Sequence, residues 1–169
     1  QLSDVFRYAL DSHSGDMVKL SHEIAFIENY IRIQQVRFGD RLKFEKTVDP
    51  SCLSINIPPM ILQPLVENSV KYGIGPKEDG GTISLIVKRS GSVIFFEVKD
   101  NGLGSNAKKV MDGTSSGVGM INTDLRLKSY FGAQSHLRVR SSELGYSVSF
   151  YIEVKEKEIM VKEYEKQIL

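Results

Sequence analysis

The sequence holds one cysteine, Cys52, three scattered histidines, and no apolar run longer than Val93-Ile94-Phe95-Phe96. Each shortage removes a class of protein. A lone thiol closes no disulfide within the chain, and one thiol with three dispersed imidazoles lacks the ligand spacing of a zinc site, so a neutral cytosolic thiol is expected. Four apolar residues fall far short of the ~20 that span a bilayer, and no cationic start with an apolar stretch behind it opens the chain. A soluble piece is predicted, whatever its parent. Net charge is scarce too: 22 basic and 21 acidic residues leave +1, so no global field draws in nucleic acid or anionic lipid, and a polyanion needs a local site. What is present is ordinary. With 169 residues, 41% hydrophobic and 25% charged, global disorder is excluded, and one domain with an appendage can bury roughly 70% of its unfolded surface.

Periodicity divides the chain. Leu20, Ile24, Ile27 and Ile31 recur at helical spacing within 17–38, with Glu23, Glu28, Asn29, Arg32 and Gln35 assigned to the other faces. That apolar seam either packs on its own domain or forms half of an interrupted helical bundle. A shorter helix around Leu2, Val5, Phe6 and Ala9 precedes it. The period then changes to two over 42–48, ending at Asp49-Pro50. Pro58-Pro59 predicts a helix from Pro59 to Tyr72 stopping at Gly73, with Pro64 uncomfortably inside. Thr82 to Arg89 and Val93 to Lys99 read as a hairpin around Ser90-Gly91-Ser92. A glycine-rich loop over 100–119 leads to a helix over 120–131. Strands over 135–141 and 146–154 follow, then a charged tail. Tight turns between strands predict an α+β fold: a two-layer α/β sandwich with a mixed, largely antiparallel sheet and helices on one face.

Three stretches carry polar residues in arrangements suited to chemistry. Glu67, Asn68 and Lys71 share one stripe of the 59–72 helix, opposite the apolar stripe Ile61, Leu62, Leu65, Val66 and Val70. A carboxylate beside an amide suits a hydrated magnesium ion, and Lys71 adds a point charge for a phosphate oxygen. Asp100-Asn101-Gly102-Leu103-Gly104 follows an apolar strand and offers an acceptor beside two permissive glycines. Gly117-Val118-Gly119 opens a helix whose first amides point outward as a phosphate cradle. Each stretch alone also fits a plain solvated helix face, a β-turn or any GxG.

Together, and in this order, they resemble the GHKL superfamily of DNA gyrase B, Hsp90, MutL and the histidine kinases. Residues 67–73 look like its N box, 100–104 its G1 box and 117–120 its G2 box. Arg37-Phe38-Gly39-Asp40-Arg41-Leu42, Ile57-Pro58-Pro59-Met60-Ile61-Leu62-Gln63-Pro64-Leu65-Val66-Glu67-Asn68 and Asn122-Thr123-Asp124-Leu125-Arg126-Leu127 are similar to the LytS/YesM-type sensor histidine kinases of bacterial two-component systems. The resemblance runs over about residues 2–154 and implies the Bergerat fold.

It also implies roles. Asn68 would hold Mg2+ bridging the ATP phosphates, Glu67 would position a water or metal ligand, and Lys71 would touch phosphate. Tyr72 would stack on adenine, where many relatives have His. Asp100 would accept from the adenine amino group, with Gly102 and Gly104 flanking the base. Gly117 and Gly119 would let residues 105–116 close as a lid, mobile without nucleotide, and Ser147 would reach the base through water. The resemblance divides the chain into 1–38, the end of a dimerisation and phosphoacceptor helical region; 39–154, the ATP-binding catalytic domain; and 155–169, the tail. The acceptor histidine, in a PHFL-type motif, has no counterpart here, and His13, His22 and His136 lie outside any matching context. The expected function is the ATP-binding catalytic portion of a two-component sensor histidine kinase. It would present the γ-phosphate of ATP to an upstream histidine for relay to a response-regulator aspartate. Its expected partners are ATP or ADP, a response regulator and a second copy in the full-length homodimer, with no nucleic acid. Its expected place is the cytoplasmic side of a membrane-anchored parent. The alternatives are an ATP-hydrolysing machine of the gyrase, Hsp90 or MutL kind, with Glu67 as general base, and a non-enzymatic dimerisation module using the 20–31 seam.

Overall fold

A computed structural model describes residues 17–104 and 117–154. The predicted helix near residues 2–9, the 105–116 segment and the 155–169 tail lie outside the described residues. Strand β1 (Val18–Lys19) pairs antiparallel with β3 (Asn56–Ile57), and between them run helix α1 (Leu20–Phe38) and strand β2 (Leu42–Val48). Helix α2 (Gln63–Asn68) continues as a π-helical turn over Ser69–Ile74. Strands β4 (Gly81–Ser90) and β5 (Val93–Asp100), helix α3 (Gly117–Phe131), and strands β6 (Arg138–Ser142) and β7 (Gly145–Glu153) follow.

The main sheet has the order β2-β4-β5-β7-β6, with β2 parallel to β4 and every other pair antiparallel. Alternation decides its faces. Leu85 and Val87 of β4 lie in register with Val98 and Phe96 of β5 and, through them, with Val148 and Phe150 of β7, while Ile83 lies in register with Asp100, and all are buried. Phe96 and Phe150 stack with ring centroids 4.7 Å apart. The helices cover this face, as the expected two-layer sandwich requires. The hairpin turn Gly91-Ser92 gives Gly91 a φ of 59°, which a two-residue turn asks of its first central position when Gly stands there.

The 20–31 seam is spent within the chain. Leu20, Ile24, Ile27 and Ile31 are each at most 4% exposed and belong to the same core as the sheet. Lys46, on the helix-facing side of β2, pairs with Glu28 at 2.5 Å and fixes the helix over the edge strand. Glu23 departs from expectation: it is fully buried rather than on an outer face. The second helix also differs from expectation. It begins at Gln63, not Pro59, which puts Pro64 within the first turn where its missing N–H costs nothing, and no bend is needed. Its last turn widens, with Gly75 N–H donating to Val70 O at 2.8 Å, so the helix passes Gly73 instead of stopping there. Strand β6 starts at Arg138 rather than Ser135, because Gly132, at φ 91°, and the bond from Ser135 N–H to Gly132 O hold 132–135 as a turn.

Truncating the seam tests this packing. Ile27→Ala should cost about 3 kcal/mol through a cavity in the shared core. Val36→Ala, at a position 89% exposed on the same helix, should stay within about 0.5 kcal/mol. Urea midpoints at unchanged slope read both. Equal small effects would mean that α1 does not share the core.

Candidate functional site

The helix over 63–74 is the wall on which the three polar stretches meet. Glu67 and Asn68 are half-buried near its middle, while Leu65, Val66, Ser69, Val70, Gly73 and Ile74 face the core. Ser69 and Gly73, one turn apart, face the end of β5. There Asp100 is 7% exposed, and its Oδ1 accepts from Gly102 N–H at 2.9 Å. A methyl group on Gly73 would stand 2.6 Å from Asp100 Oδ1, and one on Gly102 would stand 2.3 Å from the Gly73 carbonyl carbon. Leu103 N–H donates to Gly73 O at 3.1 Å. Helix backbone and loop backbone therefore touch, and neither glycine has room for a side chain.

The third stretch reaches the other end of the same helix. Gly119, on the first turn of α3, faces the Pro64 Cβ, 3.7 Å from where its own Cβ would lie. Pro64 stands one turn before Asn68 on the same helical stripe. Residues 117–119, 67–68 and 100–104 are thus strung along one helix. Glu67 and Lys71 line a cavity of about 480 Å³ shared with Tyr30, Gln34 and Arg37 of α1. Asp100 lines a separate one of about 340 Å³ with Lys99, Arg140, Tyr146 and Ser147.

Electrostatics mark Asp100. Burial pushes its carboxyl above the ordinary carboxylate range, although the Ser69 hydroxyl, the Gly102 amide, the Lys77 charge and the Tyr146 amide all pull it down. By ordinary hydrogen-bond geometry, Oδ2 is buried and accepts from no described residue. An acceptor held this way is poised for a ligand N–H. Glu67 differs: its Oε1 accepts from Gln63 Nε2 at 2.6 Å, and its charge, after burial, helps push the Tyr30 hydroxyl up to about 12. Lys71 is exposed, its Nζ 4.8 Å over the Tyr72 ring.

Two other expected site residues lie near the end of β5. Gly104 adopts φ 53° and lies against Ser142 O, which a methyl group there would meet at 1.8 Å, so its missing side chain already serves the protein's own backbone. Ser147 pairs with Lys99 and Arg140, on the sheet face opposite the Asp100 carboxylate. The residue in register with Asp100 is Tyr146, whose hydroxyl is pushed upward by burial and then by the Asp100 charge. A shift of one residue along β7 changes the face, so Ser147, expected at the base, shares the Asp100 cavity but not the face of its carboxylate. The alternation of Val148, Phe150 and Ile152 predicts Tyr146 once β5 and β7 are known to pair. Ser69 was missed because it was not among the polar residues of the helix's outer stripe.

Comparison with known proteins gives concordant results. A family model described as histidine kinase matches residues 1–42. The sensor protein LytS of Staphylococcus haemolyticus is 30% identical over 90% of this chain and 27% of its own length. The sensor histidine kinase YpdA of Escherichia coli is 31% identical over 89% of this chain and 27% of its own. The chain spans little more than a quarter of either. The histidine kinase AdeS of Acinetobacter baumannii superposes with TM-score 0.62 at 9% identity, covering 91% of this chain and 77% of that one. A nucleotide-free catalytic domain of histidine kinase ThkA gives 0.59 at 15%, covering 81% and 94%. The two structures show a shared fold.

The raised Asp100 carboxyl has a consequence for stability. A carboxyl whose folded pKa lies above its unfolded value favours folding at low pH and loses that contribution as pH rises through the folded value. Asp100→Asn should therefore raise the urea midpoint at pH 7, and the gain should shrink as pH is lowered through the carboxylate range. A variant less stable than the parent at pH 7 would contradict the burial cost.

Proposed function

We propose that the chain is a member of the histidine kinase family, as its matches to sensor kinases over about nine tenths of its length support, and that it is the ATP-binding catalytic portion of a two-component sensor kinase. In this reading it presents the γ-phosphate of ATP to a histidine upstream of residue 1, for relay to a response-regulator aspartate. The observation that carries it is the buried acceptor Asp100 Oδ2, set beside glycine backbone and without a hydrogen-bond donor among the described residues. It suits the exocyclic amino group of adenine, a donor, and rejects guanine, which offers a carbonyl there.

The residues present also fit a magnesium ion. Asn68 would hold it, with Glu67 reaching it through water, and Mg2+ supplies neutralisation of phosphate charge. The protein's own contribution is placement. Asp100 fixes the base, Ser69 and Gly102 orient that carboxylate, and the rigid helix between Pro64 and Gly73 sets the distance from base to phosphates. Lys71 adds positive charge at the phosphate end, and Tyr72 offers a ring for stacking. Gly117 and Gly119 begin α3 with outward amides for the phosphates, and the 105–116 segment would close over them. In the same reading α1 continues the dimerisation region of a membrane-anchored homodimer. No described helix is long and apolar enough to cross a membrane.

Calorimetric titration with Mg-ADP tests the assignment. The parent chain should bind it, Asp100→Asn should lose at least roughly tenfold in affinity, and Ser147→Ala should bind like the parent. Asn68→Ala should lose the magnesium-dependent part of the affinity alone. Unchanged binding by Asp100→Asn would sink the proposal.

A further inference from the structure

A second carboxylate is buried in this protein, and no expected role absorbs it. Glu23 lies in the first turn of α1, fully enclosed. Its Oε2 accepts from Met60 N–H at 2.9 Å, and its Oε1 from Leu62 N–H at 3.0 Å and Gln63 N–H at 3.3 Å. Gln63 is the first residue of α2, and the residue before it, Leu62, has no side-chain oxygen with which to cap the first N–H groups of the helix. Glu23 supplies that cap from about forty residues away, and its negative charge suits the positive end of the helix.

The capped turn is strained and held on both sides. Met60 adopts φ 57°, and it is the one non-glycine residue with positive φ among those described. Such a conformation persists where its surroundings over-determine it. On the carbonyl side, Arg126 of α3 donates from Nη1 to Pro59 O at 2.5 Å. The turn 59–63 is thereby gripped by α1 through its amides and by α3 through a carbonyl. From there the path to the site is short. Gln63 donates its backbone N–H to Glu23 Oε1 and, from its side-chain Nε2, donates to Glu67 Oε1 at 2.6 Å, one residue before Asn68. The far end of the helix is fixed independently, by the contacts of Ser69 and Gly73 with Asp100, Gly102 and Leu103.

We propose that Glu23 is a positioning residue that sets Glu67 and Asn68 at the metal end of the nucleotide site and makes their placement answer to helix α1. Removing its charge frees the strained turn and the start of α2, but leaves the base end in place. A displacement of α1 acts on the same three amides. The inference rests on the nucleotide-binding reading above and adds the residue through which α1 enters it.

The test compares ADP binding with and without Mg2+ in the whole chain. Glu23→Gln keeps the shape of the side chain but replaces one acceptor with a donor that opposes a backbone N–H. It should lose roughly tenfold in affinity for ADP with Mg2+ and stay within about twofold of the parent for ADP without it. A merely structural role predicts a lower melting temperature with equal losses under both conditions, and that result overturns the proposal, as does unchanged Mg-ADP affinity. Should Glu23→Gln fail to fold, Arg126→Met loosens the same turn from its other side. It must then show the same selective loss, and its absence refutes the idea. A parent chain that binds no ADP refutes the nucleotide reading, and this inference with it; a parent that binds while the variant keeps its magnesium response refutes this inference alone.

Discussion

The molecule is organised around one contact: the backbone of the helix at Gly73 rests directly on the backbone of the loop at Gly102. A methyl group on either would collide, at 2.6 Å with the Asp100 carboxylate in one case and 2.3 Å with the Gly73 carbonyl carbon in the other. Because no side chains intervene, the last helical turn lies on the end of β5 and encloses Asp100. Everything distinctive about the site follows. Desolvation of the carboxylate, the reach of Ser69 toward it and the unsatisfied Oδ2 all require that approach.

The two buried carboxylates are handled in opposite ways. Glu23 has both oxygens engaged, by three backbone amides, and its burial is compensated within the protein. Asp100 has one oxygen with no donor among the described residues and carries a raised pKa. A saturated buried acid holds structure together, whereas an unsaturated one retains a free energy that only a ligand recovers. The same helix joins them, with the saturated carboxylate at its start and the unsaturated one at its end.

Much of this is legible in the residues, for identifiable reasons. Alternation in 42–48, 93–99 and 146–154 reports the sheet, since each strand buries one face and exposes the other. The convergence of the glycine-bearing stretches is legible from their resemblance to a known constellation. Features that depend on distant partners are not. Glu23 looks like an outer-face residue because nothing near it in sequence shows that three amides around residue 60 need an acceptor. That Tyr146, not Ser147, lies in register with Asp100 is hidden because register is a property of two strands, and a shift of one residue changes the face. Pro64 looks misplaced until the helix is known to begin at Gln63. The 122–127 stretch carries part of the family resemblance, and its observed bonds are structural. Asp124 accepts from Leu137 N–H at 2.8 Å, Arg126 secures Pro59 and Leu127 is buried.

The widened turn over Ser69–Ile74 carries a final implication. Its Gly75-to-Val70 bond spans five residues instead of four, so one residue more than a regular helix would use lies between Asn68 and the loop that follows. Removing a residue here would restore the regular winding and turn everything beyond it by about 100° about the helix axis. Gly73 would then swing off the strand end, and a residue with a Cβ would rotate into the space against Asp100. The number of residues between Asn68 and Gly75 is thus locked to the carboxylate it must shelter.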